Sequence, residues 1–249
     1  MKKILLLLAV ATALFAFVKA TKKERTYESQ KVALHGGKVW TSAKVSKDGK
    51  PEQVSIVLDD ATLNSVPKGQ PSDHFSHANN LMIPIPSESG TPFQFAMVNW
   101  NSSGHEPDSI YGLPHFDFHF YTSAEADVMN YMDSAKLNKL PSAEYVPANH
   151  IAVHPLPMMG NHFIDVTSSE LHGQKFTQTL IYGSYDSKVV FLEPMITLDF
   201  LKNAKNFERA IPQPAKYQQA GYFPTKLKIS RHDGLTEIIL SGFEKRQAS

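Results

Sequence analysis

The 249-residue chain contains no cysteine. That excludes disulfides, thiol catalysis and thiolate metal ligands. No glycine-rich loop suited to cradling phosphate is present, and no Gly-x-Ser-x-Gly elbow, so neither nucleotide binding nor that kind of serine hydrolase is indicated. Charge of one sign is also missing: 25 Lys and Arg stand against 24 Asp and Glu, with no basic stripe. Nucleic acid is therefore not an expected partner, nor is an anionic membrane surface. There are no internal repeats and no low-complexity tract. After the first twenty residues no apolar run is long enough to span a bilayer.

The one long apolar run is at the start. Lys2 and Lys3 precede the apolar residues 4–18, and Val18-Lys19-Ala20 follows. A basic start, a short apolar core and small residues before a cut site describe a secretory signal peptide, with cleavage expected after Ala20. A retained anchor is the alternative. The chain is thus expected to be exported, to periplasm or extracellular space, without stable membrane insertion once the leader is cut. Loss of Lys2, Lys3 and Lys19 takes the formal charge from +1 to about −2. Residues 21–36 are polar and read as a mobile lead-in. Residues 37–249 suit one domain, whose core must hold without covalent staples.

Within that domain, strand and turn signals dominate. Residues 37–45 alternate, Asp48-Gly49 makes a turn, and residues 52–59 return with Val54, Ile56 and Leu58 on one face, so a hairpin is expected. Asp60 is placed to cap a short helical turn ending before Pro67. Residues 68–80 are polar, hold His74 and His77, and read as an exposed loop. Residues 81–86, interrupted by Pro84 and Pro86, suit a sheet edge, and residues 93–100 make a stronger strand. Thr122 to Glu125 fits a capping box, with Thr122 as N-cap, for a helix ending near residues 136–140, before Pro141. Residues 142–159 read as irregular cover with room for one strand. Residues 176–182 and 188–193 are strands, residues 202–219 a polar connector, and His232-Asp233-Gly234 turns a last hairpin. The expected fold is mainly β or α+β: a single antiparallel sheet domain curled as a barrel or sandwich, with one helix after its central strand. Unpaired edges of such sheets permit homo-oligomers.

The central strand is Pro-His-Phe-Asp-Phe-His-Phe-Tyr, residues 114–121. As a strand it places Phe116, Phe118 and Phe120 on one face, and His115, Asp117, His119 and Tyr121 on the other. The first row suits a core. The second is a row of metal-ligand or proton-transfer groups, in a chain with eleven histidines. A second stretch, Met-Gly-Asn-His-Phe-Ile-Asp over 159–165, offers His162 after a glycine that lets backbones approach. Glu193 ends a row with Val189 and Phe191 that looks buried, and a buried carboxylate needs a partner. These blocks, with Phe-Thr-Gln-Thr-Leu-Ile-Tyr-Gly at 176–183 and Glu-Pro-Met-Ile-Thr at 193–197, resemble a family of uncharacterised secreted bacterial proteins. The resemblance covers most of the mature chain. It implies one β-rich domain and export, and it supplies no reaction.

Imidazole and carboxylate are the natural donors of a thiol-free site for zinc, iron or manganese. The expected centre is mononuclear: His115, His119, His162 and Glu193, with Asp117 beside them. Asp117 lies two residues from each strand histidine and reaches the same ion as either. The two histidines are themselves about 13 Å apart on an ideal strand, so joint ligation needs a bulge or strong twist. His105, ten residues before His115, is the best placed of the loop histidines. The donor set has the three-His, one-carboxylate character of cupin sites, but the cupin spacing is absent. Two functions follow: a metal-dependent enzyme acting on an unknown small molecule, or a non-catalytic envelope protein whose histidine face is structural or holds a ligand.

Overall fold

The computed structural model describes residues 23–69 and 80–249. The expected leader and the histidines His74 and His77 lie outside these residues. Strand accounts for 47% and helix for 15%, so the expectation of a mainly β antiparallel fold holds. The sheets do not close as a barrel; they form a sandwich.

Alternation of apolar residues is what builds its two layers. In the first sheet, β1 (Arg25–Glu28) and β2 (Val32–Leu34) both pair with β3 (Gly37–Val45), and β3 pairs with β4 (Pro51–Asp59). β4 pairs with a strand from the far end of the chain, which closes the sheet on the carboxyl-terminal hairpin. The second sheet begins with β5 (Leu81–Pro84), β6 (Phe95–Asn101) and β7 (His115–Tyr121). It continues through β8 (His150–Leu156), β9 (Gly160–Asp165), β10 (Gln178–Tyr185) and β11 (Lys188–Thr197), in the spatial order β5-β6-β7-β11-β10-β9-β8. β12 (Asn206–Ala210), β14 (Lys226–His232) and β15 (Leu235–Ser241) complete the first sheet, while β13 (Gly221–Phe223) and β16 (Glu244–Arg246) make a separate ribbon.

One apolar cluster fills the space between the layers. Val39, Ala43, Val54, Ile56, Leu58, Ile238 and Leu240 of the first sheet meet Ala96, Val98, Phe116, Phe118, Phe120, Leu192 and Ile196 of the second. The three phenylalanines of β7 are fully buried, as their alternation requires. The opposite face of β7 is buried as well. His115, Asp117, His119 and Tyr121 are each at most 2% exposed. An exposed polar row is thereby excluded for this strand.

Several local expectations change. Residues 25–28 and 32–34, inside the expected mobile lead-in, are strands along β3. Their side chains are mostly exposed, so ladder hydrogen bonds hold them, and Trp40 Nε1 donates to Glu28. The helix after the central strand is two short pieces, α3 (Glu125–Val128) and α4 (Ser134–Leu137), which follow α1 (Asp60–Asn64) and α2 (Asp108–Tyr111) in chain order. Thr122 does not cap α3, because its hydroxyl and amide both donate to the Val190 carbonyl. α4 has its own cap, Asp133. Asp59, not Asp60, caps α1, while Asp60 pairs with Arg231 at 2.8 Å. Residues 206–210, read as connector, form an edge strand whose exposed alternate positions made it look polar. β11 runs on to Thr197 and feeds α5 (Leu198–Asn203).

Candidate metal centre

β7 lies between β6 and β11, and its register with both is unbroken. No bulge therefore shortens the span from His115 to His119. Their imidazoles belong to two different groups instead of one. His119, His162 and Glu193 form the first group, and His105, His115 and Asp117 the second; in each, one ligand atom per residue lies within 4.8 Å of the others. The five expected residues are all buried on the same face of the second sheet. The single ring expected from sequence becomes two neighbouring triads, because the two histidines lie four positions apart on a strand of unbroken register.

The first triad is assembled by register. Met195 pairs with Asp117 and Leu192 with Phe120, which sets Glu193 opposite His119. His162 on β9 pairs with Gly183 on β10, and Gly183 pairs with Phe191 on β11. A Cβ at Gly183 would coincide with the Phe191 ring, so the glycine leaves the space that ring occupies. The ring in turn packs against both imidazoles, with centroids 5.0 Å from His119 and 5.3 Å from His162. Gly160, at φ 136°, brings β9 close to the Ser184 carbonyl.

Glu193 then sits between two imidazoles. His119 Nε2 is 3.5 Å from Oε1 and His162 Nε2 is 3.6 Å from Oε2. Those separations exceed good hydrogen bonds and leave a gap that an ion can fill. Glu193 is 3% exposed, and among the described residues its Oε2 accepts no hydrogen bond. Burial pushes its carboxyl well above the usual range, and the negative charge of Asp117 pushes it further. Tyr121, a candidate proton donor from sequence, is turned elsewhere: its hydroxyl donates to the Met159 carbonyl at 3.3 Å. The same burial, and then Glu193, raises its own pKa far above the phenolic norm.

The second triad adds a residue that sequence ranked low. His105 lies on the loop before α2, its Nε2 4.0 Å from Asp117 Oδ2 and its ring 4.7 Å from that of His115. Asn101, not singled out beforehand, donates to Asp117 Oδ2 at 2.7 Å. The available signal was positional: Asn101 pairs with His115 on the neighbouring strand. Among the other histidines, His154 stacks on His162 at 6.1 Å from an exposed position on β8, and His172 Nε2 is tied to the Val166 carbonyl. His232 binds Glu237 on the surface.

No protein-family model, curated protein or solved structure matches the chain. Function has to be read from the donors themselves. Two buried His/carboxylate groups with the geometry to hold a metal ion are what the fold presents.

Proposed function

We propose that the protein is an exported metalloprotein in which His119, His162 and Glu193 hold one divalent cation, with zinc, iron and manganese as the candidate ions. One observation carries the proposal: two imidazole nitrogens and both oxygens of a buried carboxylate converge from β7, β9 and β11. A buried carboxylate between two histidines at 3.5 and 3.6 Å gains little from hydrogen bonding, whereas a cation would bind all three groups at once. Three protein donors leave coordination positions for water or a small substrate, unlike the closed four-ligand sites that serve only structure. A cation held there would supply Lewis acidity and lower the pKa of a bound water. The catalytic form of the proposal is therefore a metal-dependent enzyme acting on a small molecule. Export is supported by the basic, apolar and small-residue pattern of residues 1–20 and by the family resemblance.

The test is metal content. Untagged protein, loaded and dialysed, retains the cation, and Glu193→Gln and His162→Ala each lose about one equivalent relative to wild type. Retention by both variants, or substoichiometric metal in wild type, overturns the proposal.

A second reading, a non-catalytic envelope protein that holds a small molecule, has its own observation. A cavity of about 470 Å³ is lined by Phe93, Tyr182, Phe191, Leu192 and Phe223 together with glutamines, Asp127, Lys188 and Lys216. That lining combines an aromatic and aliphatic wall with amide and charged groups, which suits a small molecule that is itself part apolar and part polar. Phe191 also backs the imidazoles of the first triad.

A further inference from the structure

The second triad holds a feature that the first does not. His115 Nδ1 lies 2.7 Å from the Leu113 carbonyl, and a carbonyl only accepts, so Nδ1 carries the proton. In the neutral ring Nε2 then presents a lone pair. It presents it at 3.2 Å to Asp117 Oδ1, which is also an acceptor when ionised. His105 is arranged alike. Its Nδ1 lies 2.9 Å from the Glu106 carbonyl, which again places the proton on Nδ1 and aims Nε2 toward Asp117.

A lone pair on His115 Nε2 that faces an ionised carboxylate oxygen at 3.2 Å is repelled by it, and a cation between them reverses that sign. A second proton on His115 would be the simplest remedy. The geometry does not favour it: despite the 3.2 Å separation, His115 Nε2 makes no hydrogen bond among the described residues, so an N–H there would not point at Oδ1. The ring is fully buried and clamped between His105 and Phe176, at 4.7 and 5.4 Å, so it cannot swing to improve the angle. A backbone carbonyl on Nδ1 with Nε2 turned inward is how proteins orient histidine ligands. Asn101 fixes the carboxylate in the same manner by donating to Oδ2.

We propose that His105, His115 and Asp117 form a second divalent-cation site, separate from the one at His119, His162 and Glu193. The ion is one that accepts two imidazoles and a carboxylate, in the class of zinc, iron or manganese. The two sites share the polar face of β7 and are held apart by its straight register. Asp117 Oδ1 faces His115, while Oδ2 faces His105 and accepts from Asn101, so both oxygens are turned into the second triad. The arrangement is a pair of single-ion sites, not a carboxylate-bridged centre.

Equilibrium dialysis of the untagged chain against Zn²⁺, with metal read by mass spectrometry, tests this. Wild type binds about two equivalents, His115→Asn and His105→Gln about one each, and the His115→Asn/Glu193→Gln double variant none. His105 has a partly exposed ring, so His105→Gln remains informative if His115→Asn does not fold. One equivalent in wild type, abolished by Glu193→Gln and kept by both His105→Gln and His115→Asn, overturns the second site and leaves the first. One equivalent abolished by His105→Gln and kept by Glu193→Gln supports the second site and removes the first. Nitrogen-15 spectra of the metal-free protein that show His115 protonated at both ring nitrogens, with no change on adding Zn²⁺, also overturn it.

Discussion

Phe191 holds its place because Gly183 has no side chain, and that vacancy decides how the first triad is built. Replacing Gly183 by Ala puts a methyl group where the ring lies. The ring must move, and it is the surface against which His119 and His162 both rest. Overpacking of this kind costs about 1–3 kcal/mol. Gly183→Ala is expected to lower the unfolding free energy by that amount, moving the denaturation midpoint down with it, and to weaken cation binding at His119, His162 and Glu193. Binding at His105, His115 and Asp117, where the imidazoles pack on Tyr111 and Phe176, stays. Denaturant titration and competition with a chelating dye measure the two effects. Equal weakening at both sites would mean that the damage is to the sheet as a whole. Residue identities made much of this site legible. The row on β7, His162 after its glycine and the buried Glu193 were readable from alternation alone. The role of Gly183 was not, since only the register of three strands shows whose ring a Cβ would strike.

The short helix α1 is set by one side chain. Asp59 accepts from the amides of Thr62 at 2.8 Å and Lys38 at 3.0 Å and from the Thr62 hydroxyl at 2.9 Å. Gly37 makes the room, because a Cβ there would strike the carboxylate. Desolvation by burial alone would raise the Asp59 pKa, but these hydrogen bonds outweigh it and the carboxyl lies below its ordinary value. The stability it contributes is therefore present above the ordinary carboxylate pKa and is lost as pH falls through the lowered folded value. Asp59→Ala is expected to cost about 1 kcal/mol at neutral pH, the usual worth of an N-cap. The difference from wild type should shrink at acid pH, where both lack the charged cap. Urea titrations stepped from neutral pH down to about pH 2, below the ordinary carboxylate pKa and into the range of the lowered one, check it; a constant difference throughout would show that the charge is irrelevant. Elements of this kind explain where sequence reading stops. Asp59 and Asp60 are adjacent and chemically alike, and only the ion pair of Asp60 with Arg231, 171 residues away, separates their roles. Likewise Thr122 has the right spacing for a capping box, but its donors are spent on Val190 across the sheet. Strands with a buried alternate row were legible, whereas β1, β2 and β12, held by ladders at sheet margins, carry no such row.

At the scale of the molecule, the second sheet carries apolar packing on one face and two buried polar triads on the other. The apolar face is locked to the first sheet by a core that includes Phe116, Phe118 and Phe120. The triads join residues from β7, β9 and β11 and from the loop before α2, so an ion at each would tie together parts of the chain far apart in sequence. Without ions, the fold bears the cost of two carboxylates in a space with little water. Binding to the native state alone stabilises by about 2.7 kcal/mol when free metal is a hundredfold above Kd. For a chain of this size, each kcal/mol moves the melting temperature by about 2–4 °C. Removing the metal with a chelator is therefore expected to lower Tm by about 5–11 °C for one occupied site, and by more for two. Zn²⁺ should restore it, and Glu193→Gln should recover only the part due to the second triad. The protection lost on chelation should fall first on amides of β7, β9 and β11, which hydrogen exchange resolves strand by strand. A melting temperature indifferent to chelator and to Zn²⁺, with unchanged exchange in those strands, would mean that the histidines and carboxylates of this face hold one another without an ion.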